Sequence, residues 1–250
     1  MSPSYRTTSS IGYPPWPRGV KTLVIACAIT FFVQIIAGTA FTFRFGLTPS
    51  DVTQNGYIWQ LVTYIFLHDT HNILHILFNM LGLWMFGSEL EQLWGTRQFV
   101  KFFFICGIGA GILIALLSPG NSLTIGASGA VYGVLLAFGV LFPDRIIYWL
   151  IFPIRARYFV MILGGIAFFS SITASNSGIA HVAHLGGMLC GYVYMKTHDM
   201  GRSRSRGKLF SGIRTWYGDW QRKRMRRKFD VYYNQRHGDD DNEKWRRWKN

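Results

Sequence analysis

Gly126-Ala127-Ser128-Gly129-Ala130-Val131-Tyr132-Gly133 opens an apolar run that stops at Phe142-Pro143-Asp144. From Ser128 to Leu141 that run offers about 21 Å of helix at 1.5 Å per residue, short of a hydrocarbon core of about 30 Å, so its Ser128 end begins below the membrane surface. A second apolar run carries Ala183-His184-Leu185-Gly186-Gly187, and a third carries His75 and Asn79, four residues apart and therefore on one helix face. Polar and ionisable side chains are costly in hydrocarbon, and where a membrane segment keeps them they mark function.

The composition agrees with a membrane setting. Of 250 residues, 50% are hydrophobic and 15% charged, and the mean hydropathy is +0.18, too apolar for an ordinary soluble domain of this length. Charge is unevenly spread: from Lys196 onward the chain holds 17 of its 26 basic and 7 of its 12 acidic residues. Three divisions follow: a polar cytoplasmic N-terminal segment (1–18), an apolar body (19–197) and a basic, aromatic-rich cytoplasmic tail (198–250). Cys27, Cys106 and Cys190 lie in apolar runs and read as core residues, not as a disulfide framework or zinc site.

Apolar runs of about 20 residues predict six spans: Lys21–Phe41, Asn72–Leu90, Gln98–Leu117, Ser128–Leu141, Tyr158–Ile172 and Ile179–Met195. Arg6, Arg18 and Lys21 precede the first; Arg97 and Lys101 follow the second; Arg145, Arg155 and Arg157 follow the fourth; and the basic tail follows the sixth. The opposite connections carry only Arg44. Basic residues stay on the cytoplasmic side, so both termini are predicted cytoplasmic. His75, Asn79, Ser128 and His184 then fall early in spans two, four and six, at one depth in the outer leaflet.

Gly129-x-x-x-Gly133 and Gly187-x-x-x-Gly191 give spans four and six matching small-residue faces. Packed through them, the Ser128 hydroxyl and the His184 ring come within hydrogen-bond reach. A serine needs a base to become a nucleophile, and imidazole is the commonest one near neutral pH. Ser128 at a helix start also aims its own N–H at a developing oxyanion, with His75 and Asn79 as further donors. Tyr132, one turn on, can pack on the His184 ring. His181 precedes His184 by one turn and faces nearly the same way, while His68 and His71 read as loop or interface residues.

With these motifs in order, the chain resembles the rhomboid family of intramembrane serine proteases. The resemblance is carried by His71-Asn72-Ile73-Leu74-His75-Ile76-Leu77-Phe78-Asn79, by Gly126-Ala127-Ser128-Gly129-Ala130-Val131-Tyr132 and by Ala183-His184-Leu185-Gly186-Gly187, within about 57–196. It implies an all-α, six-transmembrane-helix bundle with Ser128 as nucleophile. His184, with Gly187 completing its motif, is chosen over His181 as base, and His75 and Asn79 serve the oxyanion. Glu91 looks like the family's structural glutamate. Where many members have Trp-Arg in the first external loop, this chain has Trp59-Gln60, which puts that arginine's loop-shaping role in doubt here.

The expected function is a serine endopeptidase cleaving transmembrane segments of other membrane proteins, multi-pass in a bacterial plasma membrane and without a cofactor. The alternative is a non-catalytic binder of client helices on the same fold; retention of both Ser128 and His184 favours the enzyme. Transport is disfavoured by the scarcity of charged residues and broken helices in the body. No His-Glu-x-x-His occurs, and the Gly-Asp pairs lie in the tail, which disfavours zinc and aspartyl mechanisms. His71 and His75 lack a third ligand for a metal. The tail is expected either to dock on anionic lipid or to be a solvated, partly disordered segment, with nucleic acid disfavoured as a partner.

Overall fold

The computed structural model of the chain describes residues 16–118, 120–149, 152–173, 178–198 and 200, with 149, 170–173 and 178–181 described by their backbone only. The basic tail lies outside the described residues except for His198 and Met200, as do nearly all of the N-terminal segment and the His181 side chain.

Helix α1 (Arg18–Phe45) breaks at Gly38, whose φ of +75° suits glycine alone, so the straight part of the first span ends earlier than its apolar run. Two short helices follow in the first loop, α2 (Pro49–Thr53) and α3 (Gln60–Thr63), then a 3-10 turn (Tyr64–Phe66). The second span is continuous from Ile73 to Trp94: α4 (Ile73–Gly82), a π turn (Leu83–Gly87) and α5 (Ser88–Trp94). Asn72 caps it, its side chain accepting the Leu74 N–H at 3.2 Å.

Helix α6 (Thr96–Leu117) buries Phe99, Phe102, Phe103, Cys106, Gly107, Ala110, Gly111 and Ile114. This three-and-four spacing is one stripe, and it faces α7 (Ser128–Leu141) and α9 (Gly178–Thr197). Helix α8 (Ala156–Thr173) lies mainly along α9, with Met161, Ile162, Ile166, Phe168 and Phe169 exposed. Helix α7 has the bounds that its sequence predicts. A two-stranded antiparallel hairpin, β1 (Ile146–Trp149) and β2 (Phe152–Arg155), lies between it and α8, an element that the span pattern does not predict.

The architecture is helical and membrane-embedded. The helices Arg18–Phe45, Ile73–Trp94 and Thr96–Leu117 are each long and apolar enough to cross a bilayer, while α7, at 14 residues, is apolar but short. At the end away from Ser128, Glu91 is buried and accepts the Gly19 and Val20 N–H groups, each at 2.8 Å, and the Thr96 hydroxyl at 2.6 Å. One carboxylate thus caps the start of α1 and ties it to the second span.

Candidate active site

The seam between α7 and α9 sets the site. A Cβ at Gly187 would run into the Gly129 carbonyl oxygen, and one at Gly133 would meet the Cys106 thiol and, at 2.9 Å, the Gly187 oxygen. Backbone therefore rests on backbone, and the two glycine faces meet as their spacing predicts. Across this seam Ser128 Oγ lies 3.0 Å from His184 Nε2. Tyr132 stacks on the His184 ring with centroids 4.0 Å apart and planes within 2°. Ser128, Tyr132 and His184 are all half-buried, so the pair is reachable from outside the bundle.

The approach to Ser128 is held by loops. Leu47 and Thr124 exchange backbone hydrogen bonds at 2.9 and 2.8 Å, pinning the segment before α7 to the end of α1. The Gly126 N–H donates to the Tyr64 carbonyl at 2.9 Å, and the Tyr64 hydroxyl donates to the Gly107 carbonyl at 2.7 Å. Gly126 has φ +123°, and a Cβ there would lie 2.8 Å from His75 Nε2. Only glycine fits, and His75 consequently reaches the turn two residues before Ser128.

His75 is held in one sense. The Asp69 N–H donates to its Nδ1 at 3.3 Å, so Nδ1 carries the lone pair and, in the neutral ring, Nε2 carries the hydrogen that points at Gly126. Asn79 is buried, and its amide donates to the His75 carbonyl one turn back at 2.8 Å, tying it to its own helix and not to Ser128.

Two residues beside His75 carry roles that no motif in the sequence marks. Gln34, buried in α1, accepts the His68 N–H at 2.9 Å and donates to the His68 carbonyl at 3.1 Å, a two-point clamp on the backbone beside Asp69. His68 is a loop residue as expected, but it is fully buried, with its ring edge-on to His75 at 5.3 Å. Burial, followed by the neighbouring His75, lowers the His68 pKa to about 4, although its contact with the Phe66 carbonyl pulls the other way. His71 is exposed, its N–H bonded to Asp69.

Gln60, the residue after Trp59 in the first loop, is fully buried. It accepts the Thr48 N–H at 3.0 Å and donates toward the Phe43 and Arg44 carbonyls at 3.5 and 3.4 Å. The first loop is bridged at this position by an amide. Arg44, the lone cation expected on this side, lies over Tyr57 and Trp59 at 4.5 and 4.8 Å.

The family model described as "Rhomboid domain" matches residues 55–198. Among curated proteins, the chain is 36% identical to "Rhomboid protein 1, mitochondrial" of Saccharomyces cerevisiae over 48% of this chain and 36% of that protein. It is 30% identical to "Rhomboid protease GluP" of Bacillus subtilis over 73% of this chain and 35% of that protein. It is 28% identical to "RHOMBOID-like protein 5" of Arabidopsis thaliana over 60% of this chain and 47% of that protein. The chain thus spans between a third and a half of the length of these relatives.

Proposed function

The chain belongs to the rhomboid family, and from that membership and the geometry at Ser128 we propose that it is an intramembrane serine endopeptidase acting on transmembrane segments of other membrane proteins. The observation that carries this reading is the 3.0 Å contact between Ser128 Oγ and His184 Nε2. The Ser128 hydroxyl donates its proton to Nε2 as Oγ attacks the scissile carbonyl carbon. The oxyanion that forms is met by the Ser128 N–H at the start of α7 and by the His75 Nε2–H. Imidazolium then protonates the leaving amine. Water, deprotonated by the same ring, releases the acyl group and restores Ser128.

The flat stack of Tyr132 keeps the imidazole in line with Oγ. Asn79 supports the oxyanion donor indirectly, by holding the carbonyl of His75. The substrate must present an unwound backbone, because a helical carbonyl is already bonded. The N-terminal segment, the membrane body and the basic tail act as separate parts in this reading. The charge pattern orients both termini to the cytoplasm, with the tail on anionic lipid.

The test is cleavage of a model membrane substrate by the protein and by Ser128→Ala, with fluorophosphonate or chloroisocoumarin labelling in parallel. Labelling at Ser128 and product from the unaltered protein alone are expected. Equal product from both, or no labelling of an active preparation, sinks the assignment; binding of substrate without product favours the client-binding alternative.

A further inference from the structure

The hairpin between α7 and α8 has no part in the chemistry above. Its register pairs Ile146 with Arg155, Ile147 with Ile154, Tyr148 with Pro153 and Trp149 with Phe152. Opposed residues share a face and faces alternate along each strand. At the root, Ile147 is buried at 6% exposure against the body, but Tyr148 is 71% exposed on one face and Phe152 68% exposed on the other, with Ile146 at 55%. A lone two-stranded hairpin is marginal in water, and bare aromatics on both faces add to the cost. Something apolar therefore covers Tyr148 and Phe152.

The chain path restricts what that is. Four residues, 142–145, link α7 to β1, and β2 runs directly into α8 at Ala156. The Ala156 N–H donates to the Arg145 carbonyl at 2.8 Å, closing the root onto the helix ends. Because α7 and α8 are membrane helices, the hairpin is held at the bilayer surface. Its root is also basic: Arg145 pairs with Glu89 at 2.5 Å, while Asp144 is shared by Arg157 at 2.7 Å and Arg155 at 3.7 Å. Three guanidinium groups face two carboxylates, and Arg18, Lys21, Arg97 and Lys101 begin the neighbouring spans at the same end. An anionic phospholipid surface is attracted by that charge, with aromatic rings at headgroup depth.

We propose that the paired strands Ile146–Trp149 and Phe152–Arg155 are a lipid-docking element, with Tyr148 and Phe152 entering the headgroup–acyl boundary while Arg145, Arg155 and Arg157 stand level with anionic phosphates. Only the identity of the leaflet rests on the orientation given above, and protease access to the tail in sealed vesicles reads that orientation separately. The experiment places p-benzoylphenylalanine at position 148, and in a second preparation at 152, of the full chain in vesicles of mixed phosphatidylcholine and phosphatidylglycerol. Both positions are exposed, so folding is undisturbed. Irradiation is expected to give lipid adducts enriched in phosphatidylglycerol above its share of the bilayer, with the enrichment lost in Arg155→Gln/Arg157→Gln. Crosslinks to residues 199–250 or to a second copy, absence of lipid adducts, or adducts in simple proportion to lipid composition would each overturn it.

Discussion

Two seams meet at Ser128, and they are closed by different forces. On one side α7 and α9 touch through glycine backbone, with no room for a Cβ at Gly187. On the other, α1, the loop 64–72 and the second span are joined by hydrogen bonds, buried at Gln34 and half-buried at His75, that run from Gln34 through the His68 backbone to Asp69 and His75. Packing of the first kind fixes a distance, here that between Oγ and imidazole. Hydrogen bonding of the second kind fixes an orientation and a tautomer, here those of His75, the proposed oxyanion donor. The two seams should therefore fail differently when altered.

The largest effect is expected at the packed seam. Gly187→Val drives side-chain atoms into the Gly129 backbone, which has no flexible end to give way. Overpacking of this kind costs about 1–3 kcal/mol or more, and a shift of about 1 Å between reacting groups costs about 10²-fold in rate. Thermal unfolding in detergent should show the loss of stability, and activity should fall by more than about 10²-fold. A variant that melts and cleaves as the parent does breaks the distinction at its strongest point.

Gln34→Leu tests the polar seam. Volume is kept, but the His68 N–H and carbonyl lose their partners, at a cost of about 2 kcal/mol in stability. Because His75 loses the anchor of its Nδ1 contact, kcat should fall by about tenfold while KM stays near its original value. A change in KM alone would place Gln34 in substrate binding instead.

His68 adds a pH signature to the same seam. Its ring is buried, with a folded pKa of about 4 against an ordinary 6.5. The unfolded chain takes up a proton below about 6.5 and the native state does not until about 4. Stability is therefore intact above pH 6.5, declines as pH falls toward 4, and levels off below that. The loss by pH 5 is at most about 2 kcal/mol, measured as a falling unfolding midpoint. His68→Phe should flatten that decline; an unchanged slope would mean that another group titrates.

Returning to the packed seam, Tyr132→Ala removes a stack worth about 0.5–1.5 kcal/mol and should lower kcat by up to about tenfold, whereas Tyr132→Phe keeps the ring and should stay near the parent. Loss in the Phe variant would instead assign the hydroxyl a role.

The contrast between seams also explains what the sequence could reveal. Helix α7 is bounded by local signals, a glycine-serine start and Phe-Pro-Asp at its end, and both limits were legible. The glycine faces and the Ser128–His184 pairing follow from spacing along single helices. Gln34 was not legible, because a lone glutamine in a long apolar span carries no pattern and its backbone partners, at His68, lie 34 residues away. The same distance hid the burial of His68. The break at Gly38 lies within an unbroken apolar run, and the hairpin at 146–155 contains Pro153, which argues against a strand except at a sheet edge.

Arg44 gives the smallest expected effect and the finest discrimination. It is exposed, and its guanidinium lies over the Tyr57 and Trp59 rings, while its carbonyl accepts from Trp59 Nε1 at 3.2 Å and from the buried Gln60 amide. The side chain thus adds only an exposed cation–π contact of about 0.5–1 kcal/mol, because the backbone and Gln60 hold the loop. Arg44→Ala should lower the unfolding midpoint slightly and leave kcat unchanged. Gln60→Ala, which leaves the Thr48 N–H unpaired, should cost more than Arg44→Ala in the same measurement. If the order reverses, the exposed cation and not the buried amide holds the first loop, and the polar seam extends to the surface of the molecule.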